Sequence, residues 1–171
     1  MVFIAATRKT NFNIDGIPTE LKILRQWVAW RFKYEKDRLK PAKVPIDPKN
    51  GKYAKPNNPD TWASFDEAVA AAQKYKCLGV GFVFSRNDPF VGVDLDNVLI
   101  DGRLLPEAKA IIDMFPGAYI EVSQSGTGLH IIAKGRISGK GHRTKLNDSG
   151  SEIEIYDQVR FFVLTGKHFK G

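Results

Sequence analysis

The sequence predicts an α+β fold in which short helices lie on one face of a mainly antiparallel sheet. Two observations favour this class: strand-like segments outnumber helical ones, and the short helical segments lie between the strands. A chain of 171 residues is long enough for one well-packed core. We therefore expect one domain over residues 1–171, with a basic N-terminal lobe at 1–78 and the main sheet at 79–171.

The N-terminal lobe is predicted to contain a strand between two helices. The segment IPTELKILRQW opens with Pro18 and Thr19 and indicates a short helix. WVAWRFK alternates aromatic and β-branched residues, which is typical of a strand. In SFDEAVAAAQKY, Ser64 and Glu67 form a capping box before an alanine-rich helix.

The second half of the chain predicts six strands and a helix. GVGFVFS and FVGVDLD are joined by the turn signal RNDP and are expected to form a hairpin. LPEAKAIIDMF, with Pro106 in its first turn, predicts a helix. AYIEVS, GLHIIAK, EIEIYD and RFFVLTG complete the strands.

The composition limits the cellular compartments and the kinds of metal site to be expected. Cys77 is the only cysteine, which excludes an internal disulfide and any zinc site with two or more thiolates. The opening MVFIAATRKT is too short for a signal-peptide core, and no run approaches 18 apolar residues. We expect a cytoplasmic protein that does not enter a membrane.

The net charge of +7 is concentrated in two segments rich in Gly or Pro, which we interpret as loops. Residues 31–55 contain nine Lys or Arg against three acids, and residues 134–145 contain five and no acid. Such segments favour a polyanion such as nucleic acid. The candidate nucleic-acid contacts are Lys40, Lys43, Lys140, Arg143 and Lys145.

The strand VGVDLD places Asp94 and Asp96 on one face, because side chains at i and i+2 point the same way. Like charges side by side destabilise a sheet unless solvent or a cation lies between them. Two carboxylates at this spacing, with a third acid on a neighbouring strand, suit two hard cations such as Mg²⁺ or Mn²⁺. The pattern therefore predicts metal-dependent nucleotidyl transfer.

The other strands repeat this separation of apolar and polar faces. Leu129 and Ile131 oppose His130 and Lys134; elsewhere Glu121, Ser123, Ser125, Glu152 and Glu154 oppose apolar neighbours. We expect one face to be covered by helices and the other to be open and polar. In SQSGTGLH, a Gly-rich turn precedes His130, and its N–H groups and hydroxyls suit phosphate oxygens.

In this order, VDLD, SQSGTGLHIIAKG and SEIEIYDQVRFFVLTG resemble the three motifs of the archaeo-eukaryotic primase superfamily, in particular the primase-polymerase (prim-pol) domains of phages, plasmids and other mobile elements. The segment from Lys40 to Ala68, with its Thr-Trp-x-Ser-Phe signature, resembles phage-type members. The similarity runs from Trp27 to Gly166.

The resemblance implies an RRM-like catalytic sheet in which Asp94, Asp96 and Glu154 bind two divalent ions and His130 contacts the nucleotide triphosphate. To these we add Ser123, Ser125, Lys134 and Arg160 as nucleotide contacts. The implied partners are (d)NTPs, a single-stranded or primed DNA template, and a helicase or accessory helical domain. The zinc module of cellular primases has no cysteines here, so no zinc is expected.

Two alternatives belong to other functional classes. A metal-dependent nuclease or Rep-type nicking enzyme needs clustered histidines and a nucleophilic tyrosine, whereas this face carries His130 and Tyr156 alone. A non-catalytic RRM-like module needs aromatic residues on the open face, where this sequence has acids.

Overall fold

Two antiparallel sheets organise residues 12–171, the part of the chain that the computed structural model describes. The strands are β1 (Trp27–Lys33), β2 (Ala42–Ile46), β3 (Gly79–Phe84), β4 (Phe90–Asp96), β5 (Leu99–Ile100), β6 (Arg103–Leu104), β7 (Tyr119–Val122), β8 (Leu129–Lys134), β9 (His142–Lys145), β10 (Glu152–Tyr156) and β11 (Arg160–Leu164). The helices are α1 (Thr19–Lys22), α2 (Phe65–Lys74) and α3 (Pro106–Ile112), with 3-10 turns at Ile14–Gly16 and Pro59–Thr61. The predicted α+β class is confirmed.

The first sheet has the strand order β11-β3-β1-β2 and is packed against α2. The predicted capping box is present: Glu67 N donates to Ser64 Oγ at 3.2 Å, and Ser64 N donates to Glu67 Oε2 at 2.8 Å. The small side chains of Ala71 and Ala72 let α2 approach Ala29 of the sheet closely.

The second sheet has the strand order β7-β8-β4-β10-β9 and carries α3 on its apolar face. Val93, Leu95, Leu129 and Ile131 are buried there together with Ala108 of α3. Their positions confirm the predicted alternation, because these are the residues that oppose the polar side chains on the same strands.

The opposite face of the second sheet is open only at one end, which corrects the prediction of a fully open polar face. At the other end the first sheet covers it. A Cβ on Gly92 would lie 2.4 Å from Phe84 and 2.6 Å from Phe162, so only glycine fits there. His130 stacks on Phe162 with ring centroids 4.9 Å apart. Alternation shows which residues share a face but not what covers that face.

The predicted hairpin between β3 and β4 is wrong, because the two strands lie in different sheets. The turn between them is fixed by Asp88, which accepts hydrogen bonds from Gln26 Nε2 at 2.7 Å, Ser85 N at 2.8 Å and Phe90 N at 2.7 Å. β3 and β11 pair in the same sheet as β1 and β2, so strand pairing joins segments on both sides of residue 78.

Both basic segments contain a strand, where loops were predicted. β2 pairs with β1, and β9 pairs with β10, each at a sheet edge. Pro45 and Lys43 in β2, and the fully exposed β9, are typical of edge strands, which tolerate proline and charge. The short hairpin of β5 and β6 was also not predicted.

None of the helices within residues 12–171 has the length and apolar composition that crossing a bilayer requires. The segment on which the prediction about a signal peptide rests, residues 1–10, lies outside the described residues.

Candidate active site

One row of charged side chains crosses the second sheet from edge to edge. Cross-strand pairing places Glu121 of β7 opposite His130, His130 opposite Asp94, Asp94 opposite Glu154, and Glu154 opposite Arg143 of β9. We call these five residues the charged row. Three predicted site residues, Asp94, His130 and Glu154, are thus neighbours on the face to which the alternation of the strands assigned them.

A second set of charges lies one repeat further along the strands. Asp96 faces Glu152, and Glu152 faces Lys145. Burial, followed by the charge of Asp94, raises the pKa of Asp96 above its ordinary value. The two aspartates therefore repel each other, as expected for side chains two residues apart on one strand.

One carboxylate oxygen of Asp94 has no hydrogen-bond donor within residues 12–171. Its Oδ1 atom is buried and accepts no hydrogen bond within residues 12–171. His130 Nε2 is 3.6 Å away, which is too long for a hydrogen bond. Burial raises the pKa of Asp94 most, and the charge of Glu154 raises it further. The charges of His130, Lys43 and Arg143 act to lower this pKa. An unpartnered buried carboxylate oxygen is a ready ligand for a cation.

His130 is held from behind by Glu121. Glu121 is 0% exposed, and its Oε1 lies 3.0 Å from His130 Nδ1. Glu121 also accepts hydrogen bonds from Tyr119 Oη at 2.6 Å, Thr165 N at 3.0 Å and Gly166 N at 2.8 Å. Since a carboxylate accepts only, His130 Nδ1 donates, and Nε2 points towards Asp94.

The pKa of His130 follows from these neighbours. Burial acts to lower it, but the hydrogen bond to Glu121 and the charges of Asp94 and Glu121 outweigh burial and raise the pKa. Glu121 was predicted to lie on the polar face but was not among the predicted site residues. Its place on the polar face of the strand before the Gly-rich turn was the available signal.

Glu154 and Glu152 are both held by Arg143. Arg143 Nε is 3.3 Å from Glu154 Oε1 and 3.0 Å from Glu152 Oε2. The hydrogen bond to Glu152, followed by the charge of Glu154, raises the pKa of Arg143. Arg143, a predicted nucleic-acid contact, is thus engaged with acids in this structure. Glu152 is 26% exposed and Glu154 21%, so Glu152 is not the frayed residue that its position predicted.

The Gly-rich turn after β7 presents a chain of hydroxyl groups. Ser123 Oγ is 3.1 Å from Ser125 Oγ, which is 3.1 Å from Thr127 Oγ1. Gly128 lets the turn lie against the end of β4, because a Cβ there would be 2.6 Å from the carbonyl oxygen of Leu95. The prediction named both serines but missed Thr127, whose spacing of two residues was the signal.

Two predicted nucleotide contacts are bound elsewhere. Lys134 lies at the far end of β8 from the Gly-rich turn, and its Nζ pairs with Glu20 at 2.9 Å. Arg160 lies over the ring of Tyr156, 4.5 Å from its centroid. The structure brings neither residue to Asp94, and it gives no support to their predicted roles.

The remaining predicted nucleic-acid contacts are exposed lysines on the two edges. Lys140 precedes β9 and Lys145 ends it, while Lys40 precedes β2 and Lys43 lies within it. Lys43 is close enough to the acids that its charge acts to lower the pKa of both Asp94 and Asp96. Lys43 therefore lies within electrostatic range of the two aspartates.

The sequence was then compared with known proteins. No family model matches it. Over 156 residues, or 85% of this chain, it is 38% identical to a protein named DNA Primase-polymerase from Nitratiruptor phage NrS-1. The chain spans 20% of that relative's length. This similarity supports a relationship to a phage primase-polymerase, in agreement with the resemblance seen in the three motifs.

The carboxylates of this site offer part of the ligand set of a divalent ion. Within residues 12–171, no three His, Cys, Asp or Glu side chains come together closely enough to form a complete metal cage. Asp94 and Asp96 offer hard oxygen ligands, and Glu154 is adjacent but paired with Arg143. Since Mg²⁺ takes one or two protein carboxylates together with substrate phosphates, the donor set fits such an ion.

Proposed function

We propose that this chain is the catalytic part of a DNA primase-polymerase and transfers nucleotidyl groups from (d)NTPs to a 3′-hydroxyl on a DNA template. The observation that carries the proposal is the buried, unpartnered Oδ1 of Asp94 beside Asp96 and opposite Glu154. A buried acceptor without a donor calls for an explanation, and a bound cation would supply one beside Asp96. Asp157 Oδ1, the other such atom within residues 12–171, lies past the end of β10. The relationship to a phage primase-polymerase supports the same reaction.

Asp94 and Asp96 would hold Mg²⁺ or Mn²⁺, with Glu154 as the third carboxylate once Arg143 releases it. Bound in pairs, such ions activate the attacking hydroxyl and neutralise the charge on the triphosphate and its leaving group. The single cysteine excludes a zinc site built on two or more thiolates.

The residues beside the acids would bind the nucleotide. His130 presents its Nε2 beside Asp94, where a phosphate oxygen can accept a hydrogen bond from it. Ser123, Ser125 and Thr127 offer hydroxyls at the end of the same strands. The hydroxyls donate to phosphate as neutral groups. Because the Nδ1 proton of His130 is taken by Glu121, its Nε2 donates in the imidazolium form, which the raised pKa of His130 favours.

The template would lie along the edge lysines. Lys43 of the first sheet lies within electrostatic range of the acids, while Lys140 precedes the edge strand of the second sheet and Lys145 ends it. Phosphates bound at these positions would follow both margins of the open end of the sheet. The relative extends well beyond the matched segment, and we include a linked helical domain or helicase in the proposal.

Incubation of the chain with a primed template, dNTPs and Mg²⁺ or Mn²⁺ tests the function directly. We expect the primer to lengthen in the presence of metal and not in the presence of a chelator. Cleavage of the template would favour the nuclease alternative, and binding without any reaction would favour the non-catalytic module. Either of those outcomes would overturn the proposal.

Glu154→Gln is expected to reduce primer extension about a hundredfold or more, because it removes a charge directly opposite Asp94 while keeping the shape of the side chain. Glu152→Gln is the matched control, since the same Arg143 holds both acids. Extension rates at saturating metal compare the two variants. If the Glu152 variant is inactive and the Glu154 variant is active, Glu152 and not Glu154 is the third carboxylate.

Arg143→Ala is expected to leave the salt dependence of DNA binding unchanged, because its guanidinium is occupied by two acids. Lys140→Ala should lower the slope of log K against log salt by about 0.7, the value for one lost single-strand phosphate contact. Fluorescence anisotropy over a salt series measures both slopes. Equal changes would show that Arg143 leaves Glu152 and Glu154 to bind phosphate.

A further inference from the structure

Three aromatic rings lie in line on one face of β1 and continue beyond its end. Trp30, Phe32 and Tyr34 alternate along the chain, so their side chains share a face. The ring centroids of Trp30 and Phe32 are 5.2 Å apart, and those of Phe32 and Tyr34 are 6.4 Å apart. We call these three residues the aromatic strip.

The strip runs from the core into solvent. Trp30 is buried, Phe32 is half-buried, and Tyr34 is 79% exposed. Burial of apolar surface therefore explains why an aromatic residue stands at Trp30. It does not explain the aromatic ring of Tyr34, which remains in water. The rings of Phe32 and Tyr34 are tilted by 57° to each other, and the exposed ring of Tyr34 is accessible to a base.

Positive charge surrounds the strip. Lys43 pairs directly across from Phe32, so its side chain lies on the same face. Lys36, Lys40 and Lys43 form no ion pair within the part of the chain described, although Lys33 is paired with Glu35. Aromatic rings next to free lysines are the composition of surfaces that bind single-stranded nucleic acid.

The buried end of the strip lies near the Gly-rich turn of the candidate active site. Trp30 lines a cavity of about 60 Å³ together with Gln124, a residue of the Gly-rich turn that precedes His130. The charge of Lys43, which lies beside Phe32, acts to lower the pKa of both Asp94 and Asp96. A strand of nucleic acid lying on the strip would therefore lead towards the acids.

We propose that the aromatic strip is a stacking platform for the bases of single-stranded DNA approaching the active site, with Tyr34 and Phe32 contacting bases and Lys43 contacting phosphate. The proposal deepens the proposed function and rests on it for the identity of the partner. Trp30 and Phe32 were predicted only as part of a strand, and Tyr34 follows that segment.

The opposite face of β1 offers a matched comparison. Tyr53 is also exposed and aromatic, but it is flanked by Arg31 at 6.0 Å and Lys33 at 5.9 Å on that other face. If any exposed tyrosine in this basic region bound DNA through general attraction, Tyr53 and Tyr34 would contribute alike. Stacking on the strip involves Tyr34 and not Tyr53.

Fluorescence anisotropy with a short oligo-thymidine strand, without metal or nucleotide, tests the platform. Tyr34→Ala is expected to weaken binding about fivefold, or about 1 kcal/mol, the lower end for one stacked base. Tyr34→Phe and Tyr53→Ala should stay within about twofold of wild type. On an abasic strand of the same length, Tyr34→Ala and wild type should bind equally, because no base is present to stack.

Three results would overturn the platform: wild-type affinity of Tyr34→Ala for oligo-thymidine, an equal loss in Tyr53→Ala, or an equal loss on the abasic strand. The first would also fit a surface reserved for a protein partner. Because the assay needs no catalysis, its result is independent of whether the chain catalyses the proposed reaction. A chain that binds DNA through Tyr34 but never extends a primer contradicts the polymerase and not the platform.

Discussion

Asp94→Asn is expected to abolish nucleotide addition, lowering its rate about a thousandfold or more, while the metal-free protein melts at the same temperature as wild type or higher. A metal ligand supplies several kcal/mol to the transition state, and each 1.36 kcal/mol is a factor of ten in rate. Stability should not fall, because the buried Oδ1 of Asp94 has no hydrogen-bond donor to lose. Primer extension and thermal melting in a chelator measure the two effects.

The sign of the pH dependence strengthens this test. Burial raises the pKa of Asp94, so its ionisation works against folding as the pH rises above the ordinary value of about 3.9. The asparagine variant escapes this loss, and its advantage should shrink as the pH falls towards that value. Added Mg²⁺ or Mn²⁺ should raise the melting temperature of wild type more than that of the variant.

Asp113→Asn is a suitable control, since that carboxylate is exposed and pairs with Lys109 at the end of α3. It should leave extension and the metal response unchanged. An Asp94 variant that melts far below wild type yet still extends primers would contradict both the assignment and the account of its stability.

The sequence predicted much of the site because alternation along strands is a local property. Apolar Val93 and Leu95 identify the core face of β4, and Asp94 then has to lie on the other face. The same logic applied to Ile153 and Ile155 placed Glu154 and not Asp157 towards the site. The register confirms that placement, since Glu154 lies directly opposite Asp94 and β10 ends before Asp157.

What alternation cannot show is how one sheet covers another. The hairpin signal RNDP was read as a link within one sheet, whereas buried Asp88 turns the chain from the first sheet to the second. Phe162 of the first sheet then covers His130 and leaves Asp94 at the margin of the open end. Such contacts join residues far apart in sequence and leave no periodic pattern.

The edge strands were missed for a related reason. β2 contains Lys43 and Pro45, and β9 is exposed throughout, so neither shows the apolar alternation by which strands are recognised. Pairing with β1 and β10 holds them in place through the backbone. The two basic segments therefore have defined positions beside the acids, which loops would not guarantee.

Glu121→Gln is expected to cost about 3–5 kcal/mol of stability and to raise the KM for dNTPs much more than it lowers kcat. The carboxylate is fully buried and faces donors only, so one of these donors would meet the amide NH₂ group of glutamine. Without the anion, His130 loses the partner that aims its Nε2 beside Asp94. Melting temperature and steady-state kinetics with varied dNTP check both effects.

Tyr119→Phe separates the structural role of Glu121 from its effect on His130. It removes one of the donors to Glu121 but leaves the contact to His130 Nδ1 intact. We expect it to lower the melting temperature while the KM for dNTPs stays near that of wild type.

The double variant His130→Gln with Glu121→Gln tests whether the two residues act as one unit. If they do, the effects of the two substitutions on the KM for dNTPs are not additive. The double variant should have nearly the same KM for dNTPs as either single variant, measured below the melting temperature of each. If the two losses multiply, Glu121 supports the sheet independently of His130. If Glu121→Gln keeps the KM of wild type, the imidazole needs no anion behind it to meet the nucleotide.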